Sequence, residues 1–255
     1  HNLILSGSGI KTMPAAALYI TDEFKLSGTV TITAASEITI GNELEILDDA
    51  TFATGNFDHT IGGHFDNRGT FIASPGTNIT LNGTAIQNIY GDSPTTFEKL
   101  TINNAAGVDI FTDITVNYEL ALTNGNLNVG TTTLTLNGDI AKTSGFLNVN
   151  TSSSLIFGGA SALSLSGDLF ATVPDINNLT INRTGGVTFA SDIEVNGILN
   201  LQSANPTDFI GSLHMGGNTL TMGENATTIG IGDVTGRIKR TTILPNVEYT
   251  FGNKF

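Results

Sequence analysis

The sequence predicts an all-β chain: a single-stranded, right-handed parallel β-helix of about eleven coils, each with about 20 residues and three short strands. Three observations predict it. One phrase recurs at long range, a shorter pattern recurs at a constant offset, and alternating apolar residues are cut by turn signals.

The long repeat pairs "LTINNAAGV", beginning at Leu100, with "LTINRTGGV", beginning at Leu179, 79 residues later. Downstream, Val108, Ile114, Val116, Leu120 and Leu122 correspond without a gap to Val187, Ile193, Val195, Leu199 and Leu201. Upstream, "NITLNG" at 78–83 corresponds to "SLIFGG" at 154–159 at an offset of 76, so a three-residue insertion lies near "FATVP". This long unit divides into about four smaller ones.

The short period is clearest near the N-terminus, where "NLILSG" already has a strand-like pattern. Set "ALYITDEFKLSGTVTIT" (17–33) above "EITIGNELEILDDATFA" (37–53). Leu18 falls on Ile38, Ile20 on Ile40, Phe24 on Leu44, Leu26 on Ile46 and Ile32 on Phe52, all at an offset of 20. Each unit holds three bursts of apolar–polar alternation, the signature of a half-buried strand. Asn82-Gly83, Asn124-Gly125, Asn137-Gly138 and Asn196-Gly197 mark corners, because these residue types tolerate positive φ. A hairpin stack would reverse direction at each turn, and a β-sandwich array would lack the constant offset. Parallel coils satisfy both constraints, and parallel crossovers prefer the right-handed sense.

The inward face then includes Leu18, Ile20, Leu26, Ile32, Ile38, Ile40, Ile46 and Phe52. Further along it includes Leu81, Ile102, Val116, Leu122, Leu134, Leu136, Ile181 and Leu201. The helix is expected over residues 1–232. Residues 233–255, with the basic cluster "GRIKR" and Pro245, break the pattern and read as the truncated start of a following β-rich, sandwich-like module. The first residues also read as entering an array already in register.

Composition narrows the partners. With 23 acidic and 10 basic residues the formal charge is −13. Nucleic-acid binding needs a basic stripe, so nucleic acid is an unsuitable partner, as is an anionic membrane. No apolar run reaches the roughly 18 residues of a membrane span. Cys is absent, which removes disulfides and thiol chemistry without fixing a compartment.

A resemblance can now be named. "FDHTIGGHFDNRGTFIASPGTNITLNGTAIQNIYG", then "FEKLTINNAAGV" and "LALTNGNLNVGTTTLTLNG", resembles the repeats of very large secreted surface proteins of the Bacteroidota. The similarity runs over roughly residues 1–235. Those proteins carry β-helical arrays, often leave the cell by type IX secretion, and include adhesins of the gliding-motility kind. The chain departs from the pattern at Phe65, where a Trp is common, and in the extra "PTDFIGS" at 206–212. Residues 234–254 resemble the phrase that leads from such arrays into a β-sandwich-like part. The resemblance implies an extracellular, cell-surface stalk or spacer with no catalysis and no cofactor. Its implied partners are neighbouring modules of one long chain and, in the alternative, surface glycans.

Candidate sites are few. His59 and His64 with Asp58 and Asp66 form the densest metal-capable group, but a five-residue spacing across a strand–turn–strand favours surface or turn roles over a zinc site. Asp48-Asp49 is a solvated corner that could hold calcium loosely, without the nonapeptide of calcium β-rolls. A β-helical polysaccharide lyase or hydrolase would need clustered carboxylates and a nearby base. Asp192 and Glu194 share a face, Arg68 lies near Asp66, and Lys99 and Arg183 have no cluster in the sequence. Ice binding would need Thr at one fixed coil position, and the Thr residues read as shifting between positions.

Overall fold

In a computed structural model of the chain, residues 1–202 and 211–243 are described. Its parallel strands stack as a β-solenoid of about 11 turns with roughly 21 residues per turn, and no helix occurs among the described residues. None is therefore long and apolar enough to cross a membrane. The chain divides into two compact units, the first comprising His1–Asn128 and Ile140–Gly145, the second Val129–Asp139 and Phe146–Phe255.

In the first unit three parallel sheets form because each coil lays down three short strands in turn. The first sheet runs from Leu3–Leu5 through Phe24–Leu26, Leu44–Ile46, Phe65–Asn67, Gln87–Tyr90 and Val108–Ile110 to Leu127–Asn128. The second holds Ser8–Thr12, Thr29–Thr33, Thr51–Ala53 and Thr70–Ile72. The third holds Leu18–Ile20, Ile38–Ile40, His59–Ile61, Asn78–Leu81, Thr95–Asn103 and Ile114–Asn124. The inferred offset is therefore real: Leu18 pairs with Ile38 and Phe24 with Leu44, residue on residue.

After the fourth coil the second sheet stops and the third-sheet strands lengthen. "TTFEKLTIN" and "ITVNYELALTN" contain no Gly or Pro to cut the alternation, so each bends at a bulge where the register shifts between Phe97 and Lys99. The three-strand coil thus becomes a coil with one long bent strand.

The core is a set of columns. Ile20, Ile40, Ile61, Leu81, Ile102 and Leu122 stack coil on coil in the first unit, all buried. Phenylalanines fill the space between sheets, with Phe52 stacked on Phe71 at 5.9 Å and Phe65 edge-on to Phe97 at 5.3 Å. Leu18 alone of the inward set named above is only half-buried, and its strand is the end strand of the third sheet.

In the second unit Leu134, Leu155, Leu179 and Leu199 form one column and Leu136, Phe157, Ile181 and Leu201 another. A further sheet pairs Leu213–Met222 with Val187–Phe189, Ile193–Val195 and Val234–Arg240, all parallel. The "GRIKR" cluster therefore lies in a paired strand. Residues 206–210 of the extra segment, and 244–255 with Pro245, lie outside the described residues.

Corners owe their glycines to close approach more than to handedness. Gly125 has φ 76, and a Cβ there would lie 1.7 Å from the Asn104 carbonyl oxygen. Gly41, Gly62 and Gly83 have ordinary φ but form a ladder: a Cβ on each would meet the backbone oxygen of Thr21, Gly41 and Gly62 at 2.4, 2.5 and 2.4 Å.

Candidate functional site

The densest set of ionisable groups lies on the outer face of the first sheet. Strand alternation sends Leu44, Ile46 and Phe65 inward, and so sends Lys25, Glu45, Asp66 and Tyr90 outward into one row, register partner to register partner. A second outward row lies two positions earlier in the strands and carries Glu23, Glu43, His64, Asn88 and Asp109, of which Asn88 and Asp109 are direct partners. The two rows, two residues apart along each strand, bring Glu43 and Glu45 within electrostatic reach of both Glu23 and Asp66.

Partners inside the protein absorb them. Lys25 bridges Glu45 and approaches Glu23 at 4.0 Å. The Asp66 carboxylate is buried, and Arg68 holds both its oxygens, from Nε at 3.2 Å and Nη2 at 2.8 Å. Tyr90 donates its hydroxyl to Glu43, and Asn128 donates to Asp109 at 2.6 Å.

Burial raises the pKa of Asp66 above the usual carboxylate range, against the opposing pull of Arg68. Desolvation also raises Glu23. Lys25 is held above its ordinary value chiefly by its hydrogen bond to Glu45, and burial with the Glu43 bond pushes Tyr90 up.

The candidate metal group is not assembled. His59 stands in an aliphatic column between Ile38 and Ile79, nearly fully buried. Its Nδ1 accepts the Ile38 N–H at 3.1 Å and its Nε2 donates to the Thr54 carbonyl at 2.9 Å, so both nitrogens are spent. Desolvation lowers its pKa, which fits the neutral ring. His64 faces outward on the first sheet and accepts the Asn88 N–H at 3.0 Å, while Asp58 accepts the Asn78 N–H at 2.8 Å. Among the described residues no three His, Asp or Glu side chains are grouped to hold a metal ion, Asp48-Asp49 included. Asp49 makes its corner with φ 65, which a short polar side chain tolerates.

The basic residues have diverse roles. Lys99 lies 4.9 Å from the Tyr118 ring centroid. Arg183 is buried, and its guanidinium donates to the carbonyls of Asn137 at 3.2 Å and Gly138 at 3.1 Å, and to those of Gly158 and Ser161. Desolvation lowers its pKa, while Asp139 at 3.7 Å opposes the shift. Glu194 pairs in register with Asp175, not with Asp192, which instead accepts the Thr219 N–H at 2.7 Å.

Sequence reasoning missed Arg183, although the signal was there. In the aligned phrases it falls on Asn104, which is also buried and donates to the Ala85 carbonyl at 2.7 Å and to Gln87 at 3.0 Å. The repeat thus keeps an inward donor at this corner and changes only its reach.

At the rim of the first-sheet face, Phe111 follows Tyr90 by one coil, its N–H bonded to the Ile89 carbonyl at 2.8 Å, and its ring is 64 % exposed. With Asp109 and Asn128 beside it, this is an aromatic surface edged by hydrogen-bonding groups. No protein-family model, no curated protein and no solved structure matches the chain.

Proposed function

We propose that the chain is a structural spacer, a stalk segment of a large extracellular, adhesin-like bacterial surface protein. The observation that carries this reading is the coil-on-coil register within each unit, in which apolar columns run inside, and in the first unit outer carboxylates such as Glu45, Asp58 and Asp109 are tied to neighbouring coils. A stack of near-identical turns supplies length and stiffness, and its acids serve cohesion rather than reaction. The family resemblance read from the sequence supplies the surface location and the neighbouring modules.

Replacing residues 1–232 in the parent surface protein with an unrelated β-solenoid of equal coil number should preserve adhesion, whereas simple excision should reduce it. Adhesion lost in both cases would rule out a pure spacer. Glycan binding is a second reading, favoured by exposed Phe111 beside Asp109. A glycan array probed with the native chain and with Phe111→Ala tests it, and no glycan retained by the native chain would remove it.

A further inference from the structure

The outer face of the second sheet of the first unit carries two adjacent rows without a charge, whereas the third sheet has one outward Thr row, Thr39, Thr60, Thr80 and Thr101, flanked by Asp58, Lys99 and Glu119. The second-sheet register aligns Ile10, Thr31, Thr51 and Thr70 in one row and Thr12, Thr33, Ala53 and Ile72 in the next. The expectation that Thr shifts between coil positions is wrong here: five of these eight positions are Thr, in two fixed rows. None is ionisable, on a chain with a formal charge of −13 and beside a first sheet whose outer rows are largely charged. The five Thr hydroxyls make no hydrogen bond to any described residue, unlike those of Thr54, Thr77 and Thr95 in the core.

Spacing within this array is set by the backbone. Neighbouring coils repeat at about 4.8 Å, and outward positions on one strand at about 6.7 Å. Beneath the face, Val30, Ile32 and Phe52 are fully buried, so the strands rest on a packed layer. β-Branching restricts the Thr side chains at χ1. Methyl and hydroxyl groups are thereby held in a rigid two-dimensional lattice at little further entropic cost.

We propose that this face binds ice. Ice offers a partner that is uncharged, repeats in two dimensions and presents both donors and acceptors. Ordered water in the troughs between rows can be anchored by free hydroxyls and shaped by methyls, while the one ionised group on these strands, Lys11, is turned back to the Ser8 carbonyl at 3.0 Å at the end of the sheet. The dimensions argue against a protein partner: the face covers roughly 250 Å² by strand spacing, against about 800 Å² per partner in a stable interface. An ice surface has no such threshold, because the matching position recurs at every lattice step.

The test is thermal hysteresis and inhibition of ice recrystallisation by the native chain, with Thr51→Tyr at the centre of the face and Thr60→Tyr in the third sheet's single Thr row to tell the two faces apart. Thr70→Lys, at the exposed edge, is a second face variant should Thr51→Tyr fold poorly, with the far-ultraviolet β signal checking each. Activity in the native chain and in Thr60→Tyr, lost in the folded face variants, is the expected result. No activity in the native chain, or activity unchanged by the face substitutions, would overturn the proposal. So would concentration-dependent self-association in light scattering that the face variants abolish without any ice activity, since the face would then join copies of the chain.

Discussion

His59 occupies a core position that the columns otherwise give to Ile, Leu or their like, and its two hydrogen bonds require the neutral ring. Burial lowers its folded pKa below the unfolded value of about 6.5. The unfolded chain therefore takes up the proton first, and stability is complete above about pH 6.5 and falls as the pH drops through the window below it. His59→Gln should flatten this decline in melting temperature, and an identical pH profile in native and variant chains would show that the ring is not responsible. Arg183 gives a second prediction. Arg183→Ala leaves several carbonyls without a donor, each costing about 1–3 kcal/mol if buried, and Arg183→Lys should restore only part of that. Denaturant midpoints measure both, and an unshifted Ala variant would mean that water replaces the guanidinium.

At the scale of strands and corners, the glycine ladder and the apolar columns make different demands. Gly62→Val places a Cβ against the Gly41 carbonyl at 2.5 Å, backbone that cannot rotate away, and should cost about 1–3 kcal/mol in a chemical melt. Leu122→Asp puts a carboxylate beneath Ile102 with no partner and should cost at least about 4 kcal/mol. Hydrogen exchange should then speed up at Leu100–Ile102 first, and uniform protection would contradict the assigned inward face.

Much of this level could be read from the sequence, because a period-2 pattern repeated at a fixed offset dictates both face and register: Phe24 over Leu44 and Ile20 over Ile40 needed no coordinates. The same alignment already placed Lys25 over Glu45. What stayed hidden depends on distance across the coil interior. Nothing local marks His59 as a column member, or the loss of the second-sheet strand after Ile72, and the alignment of Arg183 with Asn104 marks a shared corner without showing how far the guanidinium reaches. Thr rows were misread because offsets vary between 19 and 21 residues in that sheet, as in Thr31–Thr51–Thr70, and only pairing resolves them.

For the whole chain, stability is a sum of neighbour-to-neighbour terms, and the formal charge of −13 opposes compaction unless acids find local cations. Lys25 and Arg68 do this for the first sheet. The coil-to-coil hydrogen bonds of the first unit, such as Phe24 N–H to Glu43 and Leu47 N–H to Leu26, run both ways between each turn and its neighbours, along the direction in which the turns are stacked. Tension drawn along that direction loads them one turn at a time, like stitches in a seam. A single-molecule pull on the intact chain should then show many small force drops, each releasing about 70 Å of slack from roughly 21 residues, rather than one large rupture. A tether built this way would dissipate a sudden jerk by paying out slack in increments and re-forming when the load falls.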